Sequence, residues 1–258
     1  MRVPLARLAL RPVAAVVNFA LPPRCAGCGE IVDRVGQFCA PCWGAVAWLG
    51  EGCETCGQPL LPGEEKGCGP CLIGKAQPLD RRRAASGYGE ISRQIALQLK
   101  YGRKIGHARI MADAMRPRLM KALETLDEGD KALMMPVPLH RLRIWGRGFN
   151  QAMLIAKALA RGEKERVELV PDLMLRTRRT QPLKAMTHNE RRREVAGAFA
   201  LHPRHAGRVR DRNILIIDDV VTSGGTAGAC AKALKAAGAR RVELIAWTMV
   251  VHPDRLVR

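Results

Sequence analysis

Residues 213–226 read Asn-Ile-Leu-Ile-Ile-Asp-Asp-Val-Val-Thr-Ser-Gly-Gly-Thr. The run of branched apolar residues predicts a buried strand, and it delivers two adjacent carboxylates, Asp218 and Asp219. Two valines and a short loop of hydroxyl and glycine residues follow, and the loop leads into a predicted helix over 226–237. The order of strand, acidic pair, small loop and helix predicts an α/β fold with a binding site at one edge of its sheet.

The loop after the acidic pair has the chemistry of an anion site. Glycine lets backbone N–H groups approach a phosphate closely, and a helix N-terminus adds unpaired N–H donors and a partial positive charge. The residues expected to bind phosphate are Thr222, Ser223, Gly224, Gly225 and Thr226. Carboxylates directly before such a loop suit the hydroxyls of a sugar that carries the phosphate. The alternative is a strand whose acids cap the helix, but two buried carboxylates are costly without a ligand or partner.

Eight of the nine cysteines form four Cys-x-x-Cys pairs within residues 25–71. Two thiolates at this spacing can hold one metal ion from a tight turn, and two such pairs make a closed tetrahedral site typical of structural zinc. The repeated spacing predicts one zinc ion per repeat with the pairs combined in sequence order, although a crossed combination stays open. The predicted zinc ligands are Cys25, Cys28, Cys39, Cys42, Cys53, Cys56, Cys68 and Cys71. The ninth, Cys230, is expected to be a small buried apolar residue.

Disulfides are the alternative for these cysteines, and they require an oxidising compartment. Residues 1–21 do not read as an export signal, because Pro12 and Asn18 interrupt the apolar stretch. We therefore expect a cytoplasmic protein with an N-terminal helical lead over 1–21, for which membrane contact is the alternative to packing. No run of about 18 uncharged apolar residues is present, so no membrane span is expected.

The net charge of +19 is unevenly distributed. Residues 1–75 carry seven Lys and Arg against six Asp and Glu, and the remaining residues carry 36 against 18. The basic field therefore belongs to the larger C-terminal part. A broad excess of positive charge fits a polyanion such as DNA or RNA, and a generally basic surface is the alternative. With 4% aromatic residues, a wide base-stacking platform is not expected.

The C-terminal part alternates helical and strand patterns. Helical spacing covers 91–99 and 107–126, where Pro117 would shorten or kink the helix, and 131–137 reads as a strand ending in Pro136-Val137-Pro138. A basic loop follows with Arg141, Arg143 and Arg147. A helix over 150–160 comes next, and 213–250 forms a second βαβ unit. This alternation predicts a mostly parallel sheet with the two strand-end loops as neighbours.

Residues 176–193 contain seven Lys and Arg among eighteen residues and little apolar periodicity. A solvated surface loop is one interpretation. The other is a mobile basic lid that closes over a polyphosphate and neutralises its charge. We expect the lid, because the segment lies between strands that approach the predicted site.

Taken together, these motifs resemble the ComF family of competence-associated phosphoribosyltransferase-like proteins. The resemblance is carried by the paired Cys-x-x-Cys repeats, Leu-Lys-Tyr-Gly-Arg at 99–103, Pro-Val-Pro-Leu-His at 136–140, Arg-Gly-Phe-Asn-Gln-Ala at 147–152, Thr-Gln-Pro-Leu at 180–183 and the acidic loop at 213–226. It implies a type I phosphoribosyltransferase-like sheet over 76–250, a double zinc ribbon over 22–75, a short tail over 251–258, and a role in natural transformation.

The resemblance also implies roles for single residues. Asp218 and Asp219 should hold the ribose 2′- and 3′-hydroxyls of phosphoribosyl pyrophosphate (PRPP), partly through Mg²⁺, while 222–226 bind the 5′-phosphate. The pyrophosphate should meet the loop of Val137, Pro138 and Leu139. Its charge should be neutralised by Arg147, Arg179 or Arg191. Purine-salvage relatives carry a carboxylate at the position of Thr222, so ordinary hypoxanthine-type salvage is not expected.

Three functions stay open at this point. The chain could be a pyrophosphate-releasing transferase with an unknown nitrogen acceptor, a PRPP sensor without turnover, or an adaptor that binds single-stranded DNA or proteins of the DNA-uptake machinery. The sequence leaves the acceptor and the oligomeric state open.

Overall fold

The computed structural model describes residues 22–74, 78–178, 190, 194 and 197–255. The predicted helical lead over 1–21 lies outside these residues. A cysteine-rich module over 22–74 precedes an α/β part that holds the candidate site.

Within the described residues, the main sheet has five strands, all paired in parallel. Their bounds are Arg81–Gly87 for β1, Ala132–Pro136 for β2, Val167–Leu169 for β3, Asn213–Val221 for β6 and Arg241–Met249 for β7. Their spatial order is β1-β7-β6-β2-β3. Between β3 and β6 in the chain, β4 (Met174–Arg176) and β5 (Phe199–Leu201) pair antiparallel and form a separate small hood.

Helices of the α/β part lie on both faces of the main sheet. The cysteine module has two short helices of its own, α1 (Ala40–Ala45) and α2 (Gly69–Ile73). Those of the α/β part are α3 (Glu90–Lys100), α4 (His107–Leu123), α5 (Arg141–Arg147), α6 (Gln151–Leu159) and α7 (Gly225–Ala236), with 3₁₀ turns at Pro203–His205 and Pro253–Arg255. This architecture confirms the expected mostly parallel sheet flanked by helices.

Strand β6 supplies residues to two hydrophobic cores because successive side chains of a strand point to opposite faces. Ile214 and Ile216 pack with α7 and the hood on one face. Leu215 and Ile217 pack with α3, α4 and α6 on the other face. Both faces of the sheet at β6 are therefore covered by packed side chains.

The predicted basic loop over 141–147 is wrong in its local structure, because the segment forms helix α5. The Nδ1 atom of His140 accepts a hydrogen bond from the Leu142 N–H at 3.3 Å and caps the first turn. Gly148 ends the helix in the left-handed conformation, with φ of 85°. Pro117 lies inside α4 without ending it, and α4 stops at Leu123 rather than at residue 126.

The cysteine module docks on the sheet through aromatic and ionic contacts. Trp48 packs edge-on against the fully buried Trp247 of β7, with ring centroids 5.9 Å apart. At the other end of the module, the guanidinium of Arg255 donates to the Glu64 carboxylate at 2.6 and 2.9 Å. The segment after β7 therefore returns to the cysteine module and holds it against the α/β part.

Among the residues that the structure describes, no helix combines the length and the hydropathy that crossing a bilayer requires.

Candidate functional site

The cysteines gather into two tetrads. Within the described part of the chain, the sulfur atoms of each tetrad lie within 4.8 Å of one another. The pairs combine in sequence order, so the crossed arrangement is excluded; the tetrads are Cys25, Cys28, Cys39 and Cys42, and Cys53, Cys56, Cys68 and Cys71. Tetrahedral Zn–S bonds of about 2.3 Å place sulfurs about 3.8 Å apart, and both tetrads fit structural zinc on this measure. All nine cysteines are free thiols rather than disulfides.

Backbone N–H groups lower the thiol pKa of one cysteine in each tetrad. Burial would raise the pKa of Cys25, but backbone N–H groups, led by that of Cys39, lower the pKa to about 6. Burial likewise opposes ionisation of Cys53, and backbone N–H groups led by that of Cys56 lower its pKa to about 7. Hydrogen bonds to the charged form favour the thiolate, which is the metal-binding form.

The predicted anion loop occupies the carboxyl end of β6. Gly224 is the N-cap of α7 and adopts the left-handed conformation, with φ of 71° and ψ of 10°. This conformation suits glycine and would strain most side chains. The first turn of the twelve-residue helix α7 begins at Gly225, so its unpaired N–H groups lie at the loop.

The two carboxylates before the loop have different surroundings. Asp219 is buried, with 2% of its surface exposed. Its Oδ1 accepts a hydrogen bond from Gln151 Nε2 at 3.2 Å, and its Oδ2 lies 2.5 Å from Lys100 Nζ in an ion pair. Asp218 is half-buried, and burial together with the Asp219 charge raises its pKa well above the usual range. Asp219 is thus paired with a cation, whereas Asp218 Oδ1 accepts a hydrogen bond from the backbone N–H of Asp219 at 2.9 Å.

The loop after β2 lies beside the loop after β6, as the sequence predicted. Pro136 is paired with Ile217 in the sheet, and the Val137 N–H donates to the Ile217 carbonyl at 2.9 Å. Asn150, the N-cap of α6, donates from Nδ2 to the Val137 carbonyl at 3.0 Å. Val137 therefore lies beside Ile217, the residue that precedes the acidic pair.

Arg147 reaches the same neighbourhood indirectly. Its guanidinium donates to Gln151 Oε1, and Gln151 in turn contacts Asp219. The guanidinium also lies over the ring of Tyr101, 5.3 Å from the centroid. Arg147 is thus connected to Asp219 through the side chain of Gln151.

Family models match both parts of the chain. A double zinc ribbon domain matches residues 16–72, and a phosphoribosyl transferase domain matches residues 148–253. Competence protein F of Haemophilus influenzae is 25% identical over 193 residues, which cover 74% of this chain and 82% of that protein. DNA utilization protein YhgH of Escherichia coli O6:H1 is 30% identical over 192 residues, which cover 74% of this chain and 81% of that protein.

The chain belongs to the ComF family. Its fold class is that of a phosphoribosyltransferase domain preceded by a double zinc ribbon. Among solved structures, hypoxanthine phosphoribosyl transferase of Trypanosoma cruzi is 11% identical, with a TM-score of 0.35 over 54% of this chain and 63% of that one.

Two candidate arginines of this ComF-family chain, Arg179 and Arg191, lie outside the described residues. Most of the predicted lid over 176–193 lies outside them too. Its first residue, Arg176, is not in a loop but ends β4, with its guanidinium 5.3 Å from the Phe199 ring centroid. The segment that was predicted as a lid therefore leaves from one strand of the hood, and the chain returns at β5.

Sequence reasoning missed the partners of Asp219. Lys100 lies in Leu-Lys-Tyr-Gly-Arg and Gln151 in Arg-Gly-Phe-Asn-Gln-Ala, both of which carry the ComF resemblance. Each motif places a polar side chain at a helix end that faces the sheet edge, at the end of α3 and the start of α6. A polar residue at such a position in a shared motif was the available signal.

Proposed function

We propose that this ComF-family protein binds Mg²⁺–PRPP at the loop between β6 and α7 and acts in the cytoplasm on the utilisation of incoming DNA. The observation that carries the proposal is the acidic pair at the end of β6, directly before an anion loop led by a left-handed glycine. The names of its relatives, a DNA utilization protein and a competence protein, support the biological context.

In this proposal each part of PRPP meets a different group. Thr222, Ser223 and Thr226, with the N–H groups of the intervening glycines, hold the 5′-phosphate. Asp218 and Asp219 accept hydrogen bonds from the ribose 2′- and 3′-hydroxyls. The pyrophosphate lies against Val137, Pro138 and Leu139. Arg147, Arg179 or Arg191 neutralises its charge. Bound Mg²⁺ would supply further neutralisation of the pyrophosphate oxygens.

In this proposal, ribose and a cation replace Lys100 as the partners of Asp219. The Lys100 ammonium compensates Asp219, and its side chain keeps 20% of its surface exposed. When ribose and a cation engage the carboxylates, Lys100 is released and its charge is available to the pyrophosphate. The bound cation, in place of Lys100, then offsets the electrostatic cost of keeping Asp218 ionised beside Asp219.

The chemistry open to this site is displacement at ribose C1. The bond from C1 to the pyrophosphate oxygen breaks, a bond to a nitrogen nucleophile forms, and the nucleophile gives up one proton. Positioning and stabilisation of the leaving pyrophosphate would supply most of the rate enhancement. A PRPP sensor would use the same contacts without an acceptor.

Calorimetric titration with PRPP and Mg²⁺ tests the proposal. Wild-type protein should bind PRPP, and the double change Asp218→Asn with Asp219→Asn should abolish binding. Asp113→Asn is the matched control, because Asp113 lies on the exposed surface of α4. Pyrophosphate release with a panel of nitrogen acceptors then separates a transferase from a sensor. Unchanged PRPP affinity in the double variant would refute the site.

Helix α5 supports a second candidate function, binding of single-stranded DNA. It exposes Arg141 and Arg143, and its Trp145 is 83% exposed. Cations beside an exposed aromatic ring are the combination that holds phosphates and stacks a base. DNA affinity should fall steeply with salt, weaken in Trp145→Ala, and survive alanine at both Asp218 and Asp219. Loss of DNA binding in the aspartate variant would instead place DNA in the PRPP site.

A further inference from the structure

The second cysteine tetrad and the anion loop are joined by one side chain, that of Arg82. Its backbone N–H in β1 donates to the Thr55 carbonyl at 3.0 Å, within the turn that presents Cys53 and Cys56. Its carbonyl lies against Gly57, where an added Cβ would stand only 2.4 Å from the Arg82 oxygen. Gly57 has φ of 72° and closes the same turn. The backbone of Arg82 is therefore set by the metal-binding turn.

The other end of Arg82 reaches the loop between β6 and α7. An ideal Cβ on Gly224 would lie 3.1 Å from Arg82 Nη1 and 3.3 Å from Cζ. The guanidinium thus lies in contact range of the glycine that caps α7. A Cβ at this position would crowd the guanidinium and would also strain the left-handed backbone.

The charges around this guanidinium are unusual. Burial lowers the pKa of Arg82, while the charges of Cys56 and Cys71 act to raise it. On its other side lies the N-terminus of α7, whose partial positive charge repels a cation. An anion at the loop would be attracted by both the helix end and the guanidinium. A four-thiolate zinc site would retain a net charge of about −2 and would attract the guanidinium.

We propose that Arg82 binds the 5′-phosphate of the phosphosugar and that the second zinc site positions it, so that metal loading of this ribbon sets the affinity of the anion loop. The inference rests on the proposed function. It adds to the phosphosugar site a residue from β1, the edge strand of the sheet. It also gives the second ribbon a role that the first ribbon does not share.

The test compares two glycines in equivalent turns. Gly29 and Gly57 each follow the second cysteine of a Cys-x-x-Cys pair, and their φ angles are 85° and 72°. Alanine strains the backbone at both positions. Within the described residues, an added Cβ at Gly29 meets no atom within 4 Å, whereas at Gly57 it meets Arg82. Gly57→Ala should therefore weaken binding of ribose 5-phosphate, and Gly29→Ala should not.

Arg82→Gln keeps the test decisive if Gly57→Ala fails to fold. We expect it to weaken ribose 5-phosphate and PRPP about tenfold to a hundredfold, the range for loss of a charge-assisted contact. Inorganic pyrophosphate should bind as before. Arg81→Gln is the matched control, since Arg81 pairs with the exposed Glu54. Arg82→Lys should recover part of the affinity because it restores the charge without the planar fork.

Calorimetry on the zinc-loaded full chain measures binding, and atomic absorption checks that each variant still holds two zinc ions.

If wild-type protein binds PRPP and Arg82→Gln behaves like Arg81→Gln, this inference is wrong and the proposed function stands. A lower Tm with unchanged affinity would also overturn it, because Arg82 would then only join the two modules. If wild-type protein binds neither phosphosugar, both the proposed function and the inference fail.

Discussion

Lys100 Nζ lies 2.5 Å from Asp219 Oδ2, although one residue ends α3 and the other belongs to β6. Asp219 is 2% exposed, so the ion pair compensates a carboxylate that water scarcely reaches. Removing one partner of such a pair leaves a buried charge uncompensated. The contact therefore links the stability of the ligand-free protein to the proposed site.

Lys100→Met should destabilise the protein by about 1–3 kcal/mol in urea denaturation, below the usual range for a fully buried pair because Lys100 is partly exposed. Lys121→Met removes an exposed ion pair with Glu51 and should destabilise the protein less than Lys100→Met, because solvent screens exposed charges. Equal effects of the two substitutions would show that the Lys100 pair has no special energetic role.

Asp218 should make the ligand-free protein less stable as the pH rises. Burial and the neighbouring Asp219 raise its pKa in the folded state, so the folded state binds more protons than the unfolded state above the ordinary carboxyl range. Stability is therefore lost as the pH rises toward the folded-state pKa, and the full penalty remains above it.

Asp218→Asn should accordingly raise the Tm of ligand-free protein at pH 7.5, on the order of 2–4 °C, while abolishing PRPP binding. The gain should shrink at pH 5. Differential scanning calorimetry at the two pH values measures it, with Asp254→Asn, an exposed acid, as the control. A lower Tm for Asp218→Asn at pH 7.5 would contradict the assignment.

Zinc stoichiometry should follow the two tetrads independently. Native mass spectrometry should find two zinc ions in wild-type protein and one each in Cys28→Ser and Cys56→Ser, because three thiolates bind zinc less completely than four. Cys230→Ala should retain two, since Cys230 is buried in α7 and belongs to neither tetrad. Loss of both ions from either single variant would mean that the ribbons fold as one unit.

The clasp between Glu64 and Arg255 should release at low pH. The Glu64 pKa is lowered to about 2, first by Arg255 and then by the N–H groups of Leu61 and Gly69. Stability from this clasp is present above the ordinary glutamate pKa of about 4.3 and is lost as the pH falls toward 2. Arg255→Ala should make the segment after Leu61 more sensitive to protease, whereas Arg240→Ala should not. Equal cleavage of both variants would argue against the clasp.

Several elements of the α/β part were predictable because their signals are local, although β1, β3, β4 and β5 were not predicted. Apolar runs marked β2 and β6, and the helix predicted over 150–160 is observed as Gln151–Leu159 with Asn150 as its cap. The sulfur tetrads followed from the repeat of Cys-x-x-Cys pairs. The helix at Arg141–Arg147 was not predicted, because a seven-residue helix with a histidine cap has too weak a periodicity to stand out.

Contacts that depend on tertiary structure were out of reach of the sequence. Lys100 and Gln151 meet Asp219 only after α3 and α6 pack on the same face of β6. The approach of Arg82 to Gly224 depends on how the cysteine-rich module docks on β1. Charge and motif patterns pointed to the loop itself but not to the side chains that surround it.

Asp218 and Asp219 point to opposite faces of the sheet, because successive side chains of a strand alternate. Asp219 contacts Gln151 of α6 and Lys100 of α3. The charge of Asp218 helps to raise the pKa of Cys230 in α7, on the other face. A single ribose that engages both carboxylates would fasten the two helical layers to each other across the end of the sheet. Ligand binding at the site would then slow amide hydrogen exchange in both helical layers at the same time.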